Sequence, residues 1–143
     1  ARYSAKGKQY VYVIRNSYIK DPFTCDTAFL YKKPLDAQEL TRIGSAFAGQ
    51  HDFKSFMASR SKITDTVREV YEFRAEREGE FIKIYVSANG FLYNMVRIMV
   101  GTVLEIASGR IKHGIPYILE QKDRKAAGRT VPAHGLFLKK VFY

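Results

Sequence analysis

The 143-residue chain has one cysteine, Cys25, so neither an internal disulfide nor a cysteine-based metal site can form. Its histidines, His51, His113 and His134, have no recognisable ligand spacing, and no metal is expected. Acidic residues are scarce: 14 Asp and Glu stand against 24 Lys and Arg, a formal charge of +10. Such an excess favours a polyanionic partner, with RNA or DNA ahead of an anionic membrane surface. No apolar run approaches the length of a membrane span, and no basic start with an apolar stretch behind it marks a signal peptide. The expectation is a cytoplasmic protein with no membrane partner. No internal repeat at a period of about 20 to 50 residues is visible, and no low-complexity tract.

The length and the 46% hydrophobic content fit one globular domain with a core of its own. The chain opens on Ala1, directly before strand-like sequence, and reads as a piece of a longer protein. Residues 8 to 15, KQYVYVIR, alternate as a strand, with Val11 and Val13 on one face and Tyr10, Tyr12 and Ile14 on the other. Residues 16 to 33 read as the least structured part. Asp36 followed by Glu39 suits a capping box, and Leu40, Ile43 and Phe47 continue at helical spacing, so a helix is expected from about 36 to 48. Val67, Tyr71, Phe73 and Ala75, then Ile82, Ile84, Val86 and Ala88, give the inward faces of a β-hairpin turning at Glu78-Gly79. Leu92, Val96, Met99, Val103 and Ile106 form the stripe of a helix from about 91 to 108 that stops at Gly109. A shorter helix at about 114 to 122 and a last strand, LFLKKVFY, complete the chain.

The order β-α-β-β-α-β predicts an α+β fold, a ferredoxin-like split β-α-β arrangement with two helices on one face of an antiparallel sheet. The other face is expected to carry Phe81, Lys83, Tyr85 and Ser87 with Tyr10 and Tyr12. Aromatics interleaved with a cation suit the stacking of bases.

Several residues invite a chemical reading, each with a plainer one beside it. Arg97 and Gly101 sit one turn apart on a flank of the long helix. A helix-interior glycine costs about 1 kcal/mol relative to alanine, which suggests that something needs space beside the guanidinium. The plain alternative is a solvated arginine and a packing glycine. Tyr10 is either an outward platform or ordinary sheet packing. His51 beside Asp52, in GQHDFKSF, could do acid-base work but lacks a positioned nucleophile, and a structural turn is favoured. Lys122, Arg124, Lys125 and Arg129 fall within eight residues, and Lys54, Arg60 and Lys62 form an earlier basic set. Both suit phosphate contacts, which position a nucleic acid without reading its sequence, and both suit solvated loops equally.

Taken in order, YSAKGKQYVYVI, GQHDFKSF, ANGFLYNMVRIMVGTVLEIASG and KDRKAAGRTVPAHGLFLKKVFY strongly resemble the C-terminal part of the TruA-type tRNA pseudouridine synthases. The resemblance covers almost the whole chain, and the long helix and the final turn and strand are its specific parts. It implies that Tyr10 stacks on the target uracil, that Arg97 is the buried partner of a catalytic aspartate, and that Leu136 packs the pocket floor. A carboxylate beside such a cation stays ionised. It also implies isomerisation of uridine to pseudouridine in the anticodon stem-loop of tRNA, without cofactor or metal, by a homodimer whose two subunits share one tRNA. In that chemistry an aspartate attacks the nucleoside, the N-glycosidic bond breaks, the uracil turns, and C5 is joined to the sugar. The base must leave its stack first.

The chain departs from the family in one respect. The nucleophile belongs to an R-T-D-x-G-x-x-A motif of an N-terminal domain, and no such motif occurs in residues 1 to 143. Asp21, Asp26, Asp36, Asp52, Asp65 and Asp123 all lie in other contexts. The chain is therefore read as the C-terminal domain of a two-domain enzyme, inactive alone, with the missing N-terminal domain as a partner. Two other readings remain: a non-catalytic RNA-binding ferredoxin-like module, and a basic interaction or assembly domain.

Overall fold

The computed structural model describes residues 6–16, 29–31, 33–58 and 65–142. Among the described residues six strands form one sheet: β1 (Gly7–Asn16), β2 (Phe29–Tyr31), β3 (Gly49–Asp52), β4 (Val67–Glu78), β5 (Phe81–Ala88) and β6 (Leu136–Phe142). Their order is β2-β1-β5-β4-β3, and β6 takes the rest of the β1 edge that β2 uses. All pairings are antiparallel except the short one between β1 and β2. The helices are α1 (Ala37–Gly44), α2 (Met95–Ala107) and α3 (Ile115–Gln121). This is the expected α+β arrangement, with β2 and β3 added. No helix among the described residues is long and apolar enough to cross a membrane.

The β1–β5 register decides which side of β1 is the core. Tyr10 opposes Val86, Tyr12 opposes Ile84 and Ile14 opposes Ile82. Because side chains alternate strictly along a strand, these residues share the apolar face that the helices cover. Tyr12 and Ile14 are fully buried there. The expected aromatic platform of Tyr10 and Tyr12 on the outer face is thus overturned; Val11 and Val13 stand opposite Tyr85 and Lys83 instead. Tyr85 itself is only 6% exposed, with the Arg74 guanidinium 4.1 Å and the Lys139 ammonium 4.5 Å from its ring centre.

A bulge in β4 corrects a second expectation. Val70 pairs with Ala88 but Glu72 pairs with Ser87, so the extra residue, Tyr71, breaks the alternation. Val70 and Phe73 enter the core, while Tyr71 and Val67 are 48% and 40% exposed. The hairpin turns on Gly79-Glu80, one residue later than expected, with Gly79 at φ +61°.

The helices begin and end for local reasons. Asp36 caps α1 by accepting from the Gln38 amide, and a 3-10 turn over Ser45–Phe47 replaces the expected last turn of α-helix. Thr41 Oγ1 accepts from the Ala75 amide, so α1 covers part of the β4 edge that β3 does not reach. Helix α2 starts four residues later than the apolar stripe suggested, behind Asn94 in the left-handed region at φ 60°. Phe47, Phe53 and Phe56 form a ring cluster under α3, and Ser55 Oγ donates to the Ile118 carbonyl.

Candidate active-site surface

Helix α2 is buried nearly all round from Met95 to Leu104, which a single stripe of apolar residues does not explain. The second cover is the segment 128–135, a strap between α2 and β1. A Cβ on Gly101 would lie 1.8 Å from the Arg129 carbonyl oxygen, and one on Gly128 would lie 2.8 Å from Thr102 Cα. The two glycines let backbone cross backbone, which is the space that Gly101 implied. Thr102 Oγ1 accepts from the Gly128 amide, and Glu105 Oε1 accepts from the Arg129 amide.

Arg97 reads the same strap one turn earlier. Its Nε donates to the Val131 carbonyl at 2.9 Å, its Nη1 donates to Asn94 Oδ1 at 3.0 Å, and its own carbonyl accepts from the Val131 amide at 3.4 Å. Asn94 therefore serves the guanidinium rather than capping the helix. Arg97 is half-buried and makes no ion pair with a carboxylate among the described residues. Its Nη2 has no partner among them. The next strap residue, Pro132, accepts from the Tyr12 hydroxyl at 2.6 Å. Burial pushes the Tyr12 phenol well above its ordinary pKa, against the opposing pull of Arg97 and Arg129. It stays a neutral donor.

The strap then feeds β6, where Leu136 pairs with Tyr12 and Leu138 with Tyr10. Leu136 is half-buried against the core, and Leu138 is 52% exposed. Tyr10 is half-buried and meets the Phe91 ring edge to face at 5.1 Å. The structure so gathers Tyr10, Leu136 and Arg97 along one face of β1 and β6 and the helix above it. Tyr12, Asn94 and Val131 tie that gathering together and were not singled out from the sequence. An asparagine three residues before an arginine on one helix was the available signal for Asn94.

The basic residues divide. Ser55 Oγ also accepts from the Asp123 amide at 2.9 Å, so the turn bearing Lys54 adjoins the turn bearing Lys122 and Arg124. Lys54 and Lys122 are exposed, whereas Arg124 is half-buried and donates to Thr130 Oγ1. Burial lowers the Arg124 pKa, with Glu105 opposing. Arg129 is exposed, its guanidinium 5.8 Å from the Phe29 ring centre. Arg60 and Lys62 lie outside the described residues. His51 and Asp52 do not face one another: His51 Nε2 lies 3.0 Å from the Ala48 carbonyl oxygen, and Asp52 accepts from the Lys54 amide.

Comparison with known proteins bears on this surface. The chain is 43% identical to tRNA pseudouridine synthase A of Acetivibrio thermocellus, 44% to that of a Clostridium botulinum strain and 45% to that of a Thermoanaerobacter species, in each case over its whole length. It spans 59% of the length of each of these relatives. Among solved structures, a chain in a crystal structure of a Cbf5–Nop10–Gar1 complex resembles it with a TM-score of 0.51 over 96% of this chain and 31% of that one. At 14% identity that is a likeness of fold alone. The sequence model of the family described as tRNA pseudouridine synthase matches residues 43–143, a stretch that holds α2 with Arg97, the strap and β6, and the chain belongs to that family.

Proposed function

We propose that this chain is the C-terminal domain of an enzyme that isomerises uridine to pseudouridine in the anticodon stem-loop of tRNA. It supplies one wall of the cleft, and an upstream domain brings the nucleophilic aspartate. The observation that carries this reading is Arg97. A half-buried guanidinium held by two neutral acceptors, with Nη2 unused among the described residues, leaves a charge for a carboxylate to meet. A carboxylate placed there is held ionised and aimed.

In the reaction, that carboxylate attacks C1′ of the nucleoside as the N-glycosidic bond breaks, the uracil turns, and C5 displaces the carboxylate to form the new bond to the sugar, while N1 takes up a proton from water. The C5 proton leaves to water. Tyr10 faces the turning base, Leu136 closes the floor beneath it, and no step calls on a metal or cofactor. Lys54, Arg60, Lys62, Lys122, Arg124 and Arg129 belong to the surface that holds the tRNA, which spans two copies of the protein in the cytoplasm. An isolated RNA-binding module is less well supported, because Tyr10 and Tyr12, two of the aromatics on which it depended, lie on the helix-covered side of β1, and Tyr85 on the other face is only 6% exposed.

The test uses the full-length protein and tRNA carrying tritium at C5 of uridine. Arg97→Ala should lower tritium release by about 10²-fold or more while tRNA binding stays within a few-fold. Loss of binding with normal turnover of the tRNA still bound would remove Arg97 from the pocket.

A further inference from the structure

A depression of about 310 Å³ opens beside Tyr10 at the end of the sheet where β1 begins and β5 ends, lined by Lys8, Tyr10, Arg68, Asn89, Gly90 and Phe91. Its polar side is made of donors. Arg68 Nη1 donates to the carbonyls of Asp65 at 3.0 Å and Val67 at 2.7 Å, which fixes the plane of the guanidinium from one corner. Its Nε and Nη2 have no partner among the described residues. Gly90 stands over that edge: a Cβ there would lie 3.4 Å from Arg68 Nε and 3.5 Å from Cδ, so the missing side chain leaves the fork open. Lys8 is exposed and has no partner among the described residues. Asn89 Oδ1 accepts from the Glu69 amide, which leaves its NH2 group to donate. None of the described residues lining the depression is acidic.

Two cations and an amide donor, with no carboxylate among the described lining residues, select an anion, and the Nε–Nη2 edge of an arginine matches two oxygens of a phosphate. The Tyr10 and Phe91 rings form the remaining wall, so the anion that fits is one carried by a nucleotide. We propose that Arg68, flanked by Lys8 and Asn89, binds a backbone phosphate of the RNA strand next to the nucleotide placed at Tyr10. The inference rests on the reading that RNA enters the cleft at Tyr10. It makes Arg68 a positioning residue: a held phosphate beside an extruded nucleotide fixes where the flipped base arrives.

The experiment measures the affinity of the full-length protein for anticodon stem-loop RNAs in which each phosphate flanking the target uridine is replaced singly by an uncharged methylphosphonate. Arg68→Gln should weaken binding about tenfold and reduce the salt slope of log Kd by about 0.7, and Arg68→Lys should recover part of the affinity. At one flanking position the uncharged linkage should weaken the wild type by a similar factor and Arg68→Gln no further. A merely structural role for Arg68 would give effects that multiply at every position, and that result overturns the proposal, as does an Arg68→Gln protein that binds like wild type. If Arg68→Gln does not fold, Lys8→Ala, whose side chain is exposed, carries the same cycle. Tritium release by the wild type and its disappearance in Arg97→Ala judge the isomerase reading separately. The affinity cycle is read whether or not turnover occurs.

Discussion

Tyr12 lies with Tyr10 on the helix-covered face of the sheet and holds the strap in place. Its hydroxyl ties β1 to the segment that carries Val131 and Pro132. Tyr12→Phe leaves the Pro132 carbonyl without that donor and should cost about 1–3 kcal/mol, read as a lower urea midpoint. Because burial raises the folded-state pKa above the ordinary 10.0, the unfolded chain loses its phenolic proton first as pH rises. The stabilisation from the protonated hydroxyl is intact below pH 10 and declines above it, so wild-type stability should fall more steeply in that range than that of Tyr12→Phe. The alternation of KQYVYVIR placed Tyr10, Tyr12 and Ile14 on one face, and that much was legible. Which face meets the helices depends on pairing with β5, a contact between residues far apart in sequence, and single-strand periodicity carries no such information.

Helix α2 carries the clearest contradiction between local and tertiary preference. Helix propensity alone makes Gly101→Ala stabilising by about 1 kcal/mol. The Arg129 carbonyl at 1.8 Å from the new Cβ reverses the sign, because backbone crossing an enclosed helix has nowhere to go. Gly101→Ala should destabilise by about 1–3 kcal/mol or more in chemical unfolding, and it should also displace the Val131 acceptor of Arg97 and lower the isomerase activity proposed for the full-length protein. The glycine and the arginine one turn before it were visible in the sequence as an oddity; the strap that explains both was not, since residues 128–135 have no periodicity and read as a basic turn. The same limit hid β2 and β3, at three and four residues too short to alternate convincingly. In β4 the bulge at Tyr71 spoiled a pattern that was otherwise readable, and Val70 took the core position assigned to its neighbour. Helix α2 was found with its stop correct and its start early, because Leu92 is buried from a turn that only imitates helical spacing.

Over the protein as a unit the formal charge of +10 is unevenly useful. The fold brings the turn of Lys54 against that of Lys122 and Arg124, two basic stretches far apart in sequence, while Arg74 and Arg15 are occupied by Glu72, Glu76 and Glu80. Replacing Lys122, Arg124 and Arg129 together by Ala should weaken tRNA binding and flatten its salt dependence by about 0.7–0.9 in slope for each phosphate no longer neutralised. An unchanged slope in a salt titration would take all three away from the RNA. Composition favours a polyanionic partner; only the folded surface distinguishes available cations from those spent on internal pairs. The placement of β6 has a consequence of another kind. It runs beside β1 from Phe142 against Gly7 to Leu136 against Tyr12, joining nearly the first described residues to the last. A ribosome delivers the strap and β6 after every other described element, and pairings of such long separation form slowly. Arg97 is therefore synthesised before the Val131 carbonyl that holds its guanidinium, so in the nascent chain the cation precedes its acceptor and the contact between them waits for the strap.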